Sequence, residues 1–248
     1  MAEIDPDLLL RAYSIGVFPM SDSRDAEEIF WVEPRRRAII PIESFRLSRS
    51  LRKVVRSGQF HVSCDTAFAN VVRRCAERDE TWINAQIEVA YNQLHERGHA
   101  HSIECWQEGE LVGGLYGVNL GAAFFGESMF SIRKDASKVA LAWLVARLRV
   151  GGYRLLDCQF MTDHLRSLGA VEIAQSDYVE LLSGALSSGA PDGAEGAGAG
   201  GAAGAFGPPA LAGAEFGALD RLLEADPART VDSPASGCVI AQLLGQTS

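Results

Sequence analysis

Between residues 100 and 130 the apolar positions alternate with polar ones in three quick runs, 101–107, 110–118 and 121–130. The turns between them are Gln107-Glu108-Gly109-Glu110 and Asn119-Leu120-Gly121. Alternation with glycine-bearing turns predicts an antiparallel meander. On either side the apolar spacing is helical. Residues 6–15 read as a short helix stopped by Gly16, with Phe18-Pro19 starting a turn, and Ser48 is placed to cap a helix over 49–57 that ends at Gly58. Phe30-Trp31-Val32, Ala38-Ile39-Ile40 and Phe60–Ser63 read as short strands. Asp65 is expected to cap a helix reaching Ala76, and residues 85–97 form another, stopped by Gly98. After the meander come a long helix at 136–149, a strand at 154–160, a short helix at 162–168, a strand at 171–174 and a helix near 176–183.

This order predicts an α+β fold: a small N-terminal domain (1–45) and a domain with a mixed, largely antiparallel sheet (46–183). Meander, crossover helix and further strand is also the order of GNAT-like acyltransferases, an analogy of fold that does not settle function. Past residue 183 the pattern changes. Residues 184–214 are mostly Gly, Ala, Ser and Pro and read as a flexible linker. Within the tail, 215–248, a short amphipathic helix is expected at 216–225, and the apolar run Cys238–Leu244 is expected to add a strand or dock on the core.

Two apolar strands are interrupted by carboxylates, at Glu127 within Phe124–Phe130 and at Asp157 after Leu155-Leu156. Burying a carboxylate costs several kcal/mol unless a partner or a function compensates, so the pair marks a polar site inside a β core. Asp157 and Gln159, two apart on a strand, are expected to share a face, with Cys158 pointing the other way into the core. The pair can orient an amine or accept its proton. Glu127 reads equally as the partner of a cationic ligand or of an internal arginine.

Charge changes the picture more than composition does. The chain of 248 residues carries a net charge of −9, yet residues 35–56 hold eight cations (Arg35, Arg36, Arg37, Arg46, Arg49, Arg52, Lys53, Arg56) against Glu43 alone, +7 in 22 residues. Such a patch is either an electrostatic footprint for nucleic acid or a solvated helix face. No run is long and apolar enough to suggest a membrane span, and the acidic N-terminus lacks a basic leader segment. Five scattered cysteines form no C-x-x-C pair, which points to a reducing, cytoplasmic setting.

Two other motifs are weaker. His95-Glu96-Arg97-Gly98-His99 matches a zinc-protease pattern, but that chemistry needs both histidines on one helix face. Gly98 reads instead as the left-handed end of the helix. Gly113-Gly114-Leu115-Tyr116-Gly117-Val118 lacks the Lys-Ser/Thr of a phosphate loop and reads as strand glycines at a close approach of backbone or ligand. The stretch 132–138 has no glycine with which to bind a CoA pyrophosphate, which counts against an acetyl-CoA-dependent acetyltransferase. A non-catalytic RNA-binding module built on the basic patch is the other alternative.

Ten segments, in order from about residue 8 to 183, resemble the leucyl/phenylalanyl-tRNA–protein transferase family. They are Leu9-Leu10-Arg11-Ala12-Tyr13 with Gly16-Val17-Phe18-Pro19; Trp31 with Pro34-Arg35-Arg36-Arg37-Ala38; Ser48–Arg52; Thr81-Trp82-Ile83; Leu94–Glu104; Gly113–Val118; Phe125–Ser131; Ala136-Ser137-Lys138; Asp157-Cys158-Gln159; and His164 with Ser167–Ala170. The resemblance implies an enzyme that moves Leu or Phe, and less readily Met, from aminoacyl-tRNA to the α-amine of proteins beginning with Arg or Lys. The new N-terminal residue marks those proteins for proteolysis. It implies no metal and no CoA, and neither DNA nor a membrane as partner. Gln159, polarised by Asp157, is implied as the group acting on the amine proton, with transfer through the tRNA ribose hydroxyl an equal alternative. Glu127 and Asp157 suit the cationic acceptor. Tyr116, Ser128, Met129, Phe130 and Leu144 are candidates for the aminoacyl pocket, and Trp82 and Tyr91 for stacking on the terminal adenine. Arg49, Arg52, Lys53 and Arg56 are expected to meet tRNA phosphates. Met20 stands where an aromatic residue can occur and Gln175 where a basic one is usual. The resemblance does not reach 184–248.

Overall fold

The computed structural model describes residues 4–78, 80–187, 214–225 and 234–245. A small N-terminal domain opens the chain. Helix α1 (Pro6–Ser14) is capped by Asp5, whose side chain accepts from the Asp7 amide, and it buries Leu9, Leu10 and Tyr13. It leads through left-handed Gly16 into β1 (Phe18–Met20), paired antiparallel with β2 (Phe30–Val32). The turn expected at Phe18-Pro19 is therefore a strand; the reversal comes earlier, at Gly16.

The next strand, β3 (Arg36–Ile39), belongs to a seven-stranded sheet with β4 (His61–Cys64), β5 (Ala100–Gln107), β6 (Glu110–Leu120), β7 (Ala123–Ser131), β8 (Leu155–Asp157) and β9 (Val171–Ala174), in the order β4-β5-β6-β7-β8-β3-β9. Every pairing is antiparallel except β7 with β8. The α+β class with a mixed, largely antiparallel sheet is as expected. The N-terminal part of the chain is woven into that sheet, because β3 lies between β8 and β9.

On one face lie α3 (Phe68–Ala76) and α4 (Ala85–Glu96); on the other lie α5 (Ala136–Val150) and α2 (Arg49–Arg56). Asp65 does not cap α3. The helix begins after Ala67 without a side-chain cap, and Asp65 instead accepts from the Ser102 amide and pairs with His101. Helix α4 ends at Glu96 before left-handed Gly98, so His95 and His99 do not share a helix face. His95 Nδ1 meets the Ala100 carbonyl at 2.8 Å.

The glycines of β6 allow close approach. A Cβ on Gly113 would lie 2.5 Å from that of Ala136, so the start of α5 rests directly on the strand. Helix α5 is apolar on nearly every side and accordingly buried all round. Helices α6 (Asp163–Ser167) and α7 (Gln175–Ser187) follow β8 and β9. Residues 184–187 of the expected linker are thus helical, and 188–213 lie outside the described residues. Helix α8 (Ala218–Glu224) buries Leu219 and Leu223 in the core on the α5 side. The apolar tail is helix α9 (Pro234–Leu243), which docks on α2 and α5; it is not a strand.

Candidate active site

Strands β7 and β8 run side by side only from Ala123↔Leu155 to Phe125↔Asp157. Beyond that point β7 continues to Ser131 while the chain after Asp157 turns away. The strand expected over 154–160 therefore stops three residues early. Cys158 donates its amide to the Ala38 carbonyl, and Gln159 takes a left-handed backbone, φ 56°. That conformation costs about 1–2 kcal/mol in a residue with a Cβ. It is held by the Asp157 carboxylate, whose Oδ1 accepts the Gln159 amide at 2.8 Å. An aspartate two residues earlier is the usual side chain for that local bond.

A cavity of about 530 Å³ fills the opening between the diverging strands. Leu115, Met129, Phe130, Leu141, Leu144 and Leu156 make it apolar; Glu127 and Gln159 give it a polar end. Trp82, Tyr116 and Ser128 also line it. Gln159 Nε2 donates to Glu127 Oε1 at 3.1 Å, and Tyr91 donates its hydroxyl to Glu127 Oε2 at 2.8 Å. The Tyr13 and Tyr91 hydroxyls meet at 2.7 Å behind them. Burial pushes the Glu127 carboxyl up to about 7, against the opposing pull of its tyrosine partners. Among the described residues Glu127 forms no ion pair with an internal arginine; its hydrogen-bond partners are the Tyr91 hydroxyl and the Gln159 amide.

Asp157 lies outside the cavity wall. It is 0% exposed and its oxygens are taken by Arg37 (3.0 Å from Nε to Oδ1, 2.6 Å from Nη2 to Oδ2), by the Tyr178 hydroxyl (3.0 Å) and by the Gln159 amide. Expected to bind an acceptor, it instead anchors Gln159 from behind. Arg37, counted among the cations of the 35–56 patch, is 1% exposed. Its guanidinium lies over the rings of Phe18 and Tyr178, 4.9 and 4.4 Å from their centroids, and donates to the Gly16 carbonyl. Burial opposes its charge, but the Asp157 carboxylate outweighs burial and raises its pKa.

One further expectation is corrected by burial. Tyr91 has no open face for a base, being edge-on to Tyr116 at 5.3 Å and to Trp82 at 6.4 Å and wholly buried. Cys158 packs against the core, as expected, and also touches the cavity; burial first and the Asp157 charge second push its thiol well above the ordinary range, so it is no nucleophile. The sequence reading missed Tyr13, Arg37 and Tyr178, which surround the two carboxylates, and Arg78, which donates to the Ser128 hydroxyl. Tyr13 and Arg37 sit within the resembling segments; Tyr178 and Arg78 have no local signal, because only the fold brings them here.

Residues 39–183 match the family model for leucyl/phenylalanyl-tRNA protein transferase, and residues 2–35 match the model of that family's N-terminal domain. The chain belongs to the leucyl/phenylalanyl-tRNA–protein transferase family. A transferase of this name from Rhizorhabdus wittichii is 63% identical over the whole of both chains. One from Zymomonas mobilis subsp. mobilis is 61% identical, covering 75% of this chain and 70% of its own. Among solved structures, a crystal structure of FemX superposes with a TM-score of 0.45 at 13% identity, covering 71% of this chain and 70% of the other. As a member of this family, the enzyme is an aminoacyl-tRNA-dependent aminoacyltransferase acting on proteins. The GNAT acetyltransferase and the non-catalytic RNA-binding module are thereby set aside. Among the described residues no helix is long and apolar enough to cross a membrane.

Proposed function

We propose that the enzyme joins Leu or Phe, and less readily Met, to the α-amine of proteins that begin with Arg or Lys, and that the product is marked for N-terminal-residue-dependent proteolysis. The observation that carries this reading is the juxtaposition of an apolar cavity with a buried carboxylate at its polar end. The apolar wall suits an uncharged Leu, Phe or Met side chain, among which such a pocket discriminates by only about 1–3 kcal/mol per methylene. Glu127 suits the cation of the acceptor.

In the reaction the acceptor amine attacks the ester carbonyl. A C–N bond forms, the bond to the ribose oxygen breaks, the amine loses a proton and the ribose oxygen gains one. Gln159 gives one of its two amide N–H groups to Glu127, and its Oε1 is left to accept from the incoming amine. An amide is a very weak base, so Gln159 orients the amine and the proton passes through the ribose hydroxyl. Asp157 acts through Gln159 by fixing its backbone. Trp82, at the cavity wall, offers a face for the terminal adenine, and the exposed Arg49, Arg52, Lys53 and Arg56 on α2 meet tRNA phosphates.

The test combines purified enzyme, labelled Leu-tRNA and two peptides that differ only in an Arg or an Ala at the N-terminus. Label is expected on the Arg peptide alone. Equal labelling of both peptides would sink the acceptor assignment, and labelling of neither would sink the whole reading.

A further inference from the structure

Helix α2 is poorly equipped to stand alone. It has only eight residues, its apolar side is Leu51 and Val55, and no acidic residue sits in its first turn. Its outer face stacks Arg49, Arg52, Lys53 and Arg56, which repel one another at i,i+3 and i,i+4 spacing. Eight residues are too few for a stable isolated helix. Something must hold it in place.

The C-terminal segment does so. Helix α9 lies on α2 so closely that a Cβ on Gly237 would come within 2.1 Å of the Val55 carbonyl oxygen and 3.6 Å of the Arg56 Cα. At its far end a Cβ on Gly245 would lie 3.2 Å from Arg52 Nη2. Ile240, Ala241 and Leu244 enter the same core as Leu51 and Val55. Two arginines of α5 fasten the segment. Arg149 donates to the Leu243 carbonyl at 2.7 Å and also to Ile42 and Glu43 ahead of α2. Arg147 forms a two-pronged pair with Asp220 at 2.5 and 2.6 Å and donates to the Phe216 carbonyl. The Phe216 ring stacks on Phe124 and His101. The same α5 presents Ser137, Leu141 and Leu144 to the cavity.

We propose that residues 214–225 and 234–245, which lie beyond the matched family segments, are part of the tRNA-docking apparatus. Helix α9 is a brace that holds α2 against α5 and keeps Arg52 and Arg56 in position for phosphates. The ordering of the cationic face is then complete before tRNA arrives, so binding does not have to supply it. The inference rests on the reading of α2 as the phosphate-contacting helix.

Gly237→Val in the full chain is the direct test, because its side chain cannot fit against the Val55 carbonyl. The KM for Leu-tRNA is expected to rise roughly tenfold, as when phosphate contacts are lost, with kcat within about twofold. Turnover of leucyl-adenosine, a donor without a tRNA body, is expected to stay unchanged. An unaltered KM for Leu-tRNA, or a parallel loss on leucyl-adenosine, overturns the brace. A second measurement needs no variant: hydrogen exchange of the native enzyme with and without Leu-tRNA. Amides of α2 and of 236–245 are expected to be protected already without tRNA, and rapid exchange in 236–245 before tRNA is added overturns the proposal. Arg52→Glu with Lys53→Glu separates the two ideas. If that change leaves tRNA binding intact, the reading of α2 fails and the brace with it. If it weakens binding while Gly237→Val does not, the brace alone fails.

Discussion

Glu127 changes charge near neutral pH, and the sign of that change can be followed in both stability and binding. Burial raises its carboxyl to about 7 in the fold, against roughly 4.3 in an unfolded chain. The fold therefore favours the protonated form. Its contribution to stability is complete below about pH 4.3 and is lost as pH rises through about 7, a change on the order of 3 kcal/mol. Melting curves of the native chain should show this decline between about pH 4 and 7 and level off above, and those of Glu127→Gln should not. Binding runs the other way: a cationic acceptor needs the ionised form, so the KM for an Arg peptide should fall as pH rises through about 7 and become flat in Glu127→Gln. A native KM that ignores pH in this range would remove Glu127 from acceptor recognition. Arg37 and Asp157 make a second case. Arg37→Met strands a buried carboxylate and should cost about 3–5 kcal/mol by denaturant titration. Adding Asp157→Leu should recover most of that stability, because two apolar side chains need no partner. The double variant should still transfer slowly, because the Gln159 amide has lost its acceptor. Recovery of activity along with stability would show that Asp157 does nothing for Gln159.

Strand β6 carries three glycines for contact reasons, and each can be tested as packing. Gly113 faces Ala136 at the start of α5, and Gly117 sits under the Phe124 ring beside the Phe125 carbonyl. Gly113→Val should push α5 off the sheet and destabilise the chain by roughly 1–3 kcal/mol, visible as a lower melting temperature. A neutral result would mean that α5 shifts freely. That the run Gly113–Val118 was strand and close approach, with no phosphate loop, was legible because a phosphate loop needs particular residues after the glycines. The meander was legible as alternating runs bounded by glycine turns, and α5 as a long apolar run ended by Gly151-Gly152. What local pattern does not carry is which strands become neighbours. Residues 36–39 lie within the first 45 of the chain, yet β3 packs between β8 and β9, and only that pairing turns Arg37 from a surface cation into the partner of Asp157. The left-handed turn at Gln159 was hidden too, since 154–160 reads as an unbroken strand until the aspartate's bond to the nearby backbone is seen. The apolar run at 238–244 was ambiguous between strand and docked helix, because length and hydrophobicity alone do not separate the two.

Across the whole molecule a net charge of −9 opposes a polyanionic partner, so recognition of tRNA depends on where the cations sit. Of the eight cations between residues 35 and 56, Arg37 is internal and Arg36 is paired with Glu172. Arg49, Arg52, Lys53 and Arg56 stand exposed on one helix and make no ion pair with another described residue. Phosphate contacts release counterions, so the logarithm of the binding constant should fall linearly with the logarithm of salt concentration. Each of the four, changed singly to Gln, should lower the magnitude of that slope by about one. Arg36→Gln should leave it unchanged, because its charge is already neutralised by Glu172 and it lies off the helix. Anisotropy of labelled tRNA between about 50 and 200 mM salt resolves such differences. Equal slopes for native, Arg52→Gln and Arg36→Gln enzymes would mean that α2 is a solvated face and that tRNA is held elsewhere. A slope lost at α2 alone would mean that attraction is confined to one helix. The rest of the acidic surface then repels the tRNA body, and this limits the orientations in which its aminoacyl end can reach the cavity.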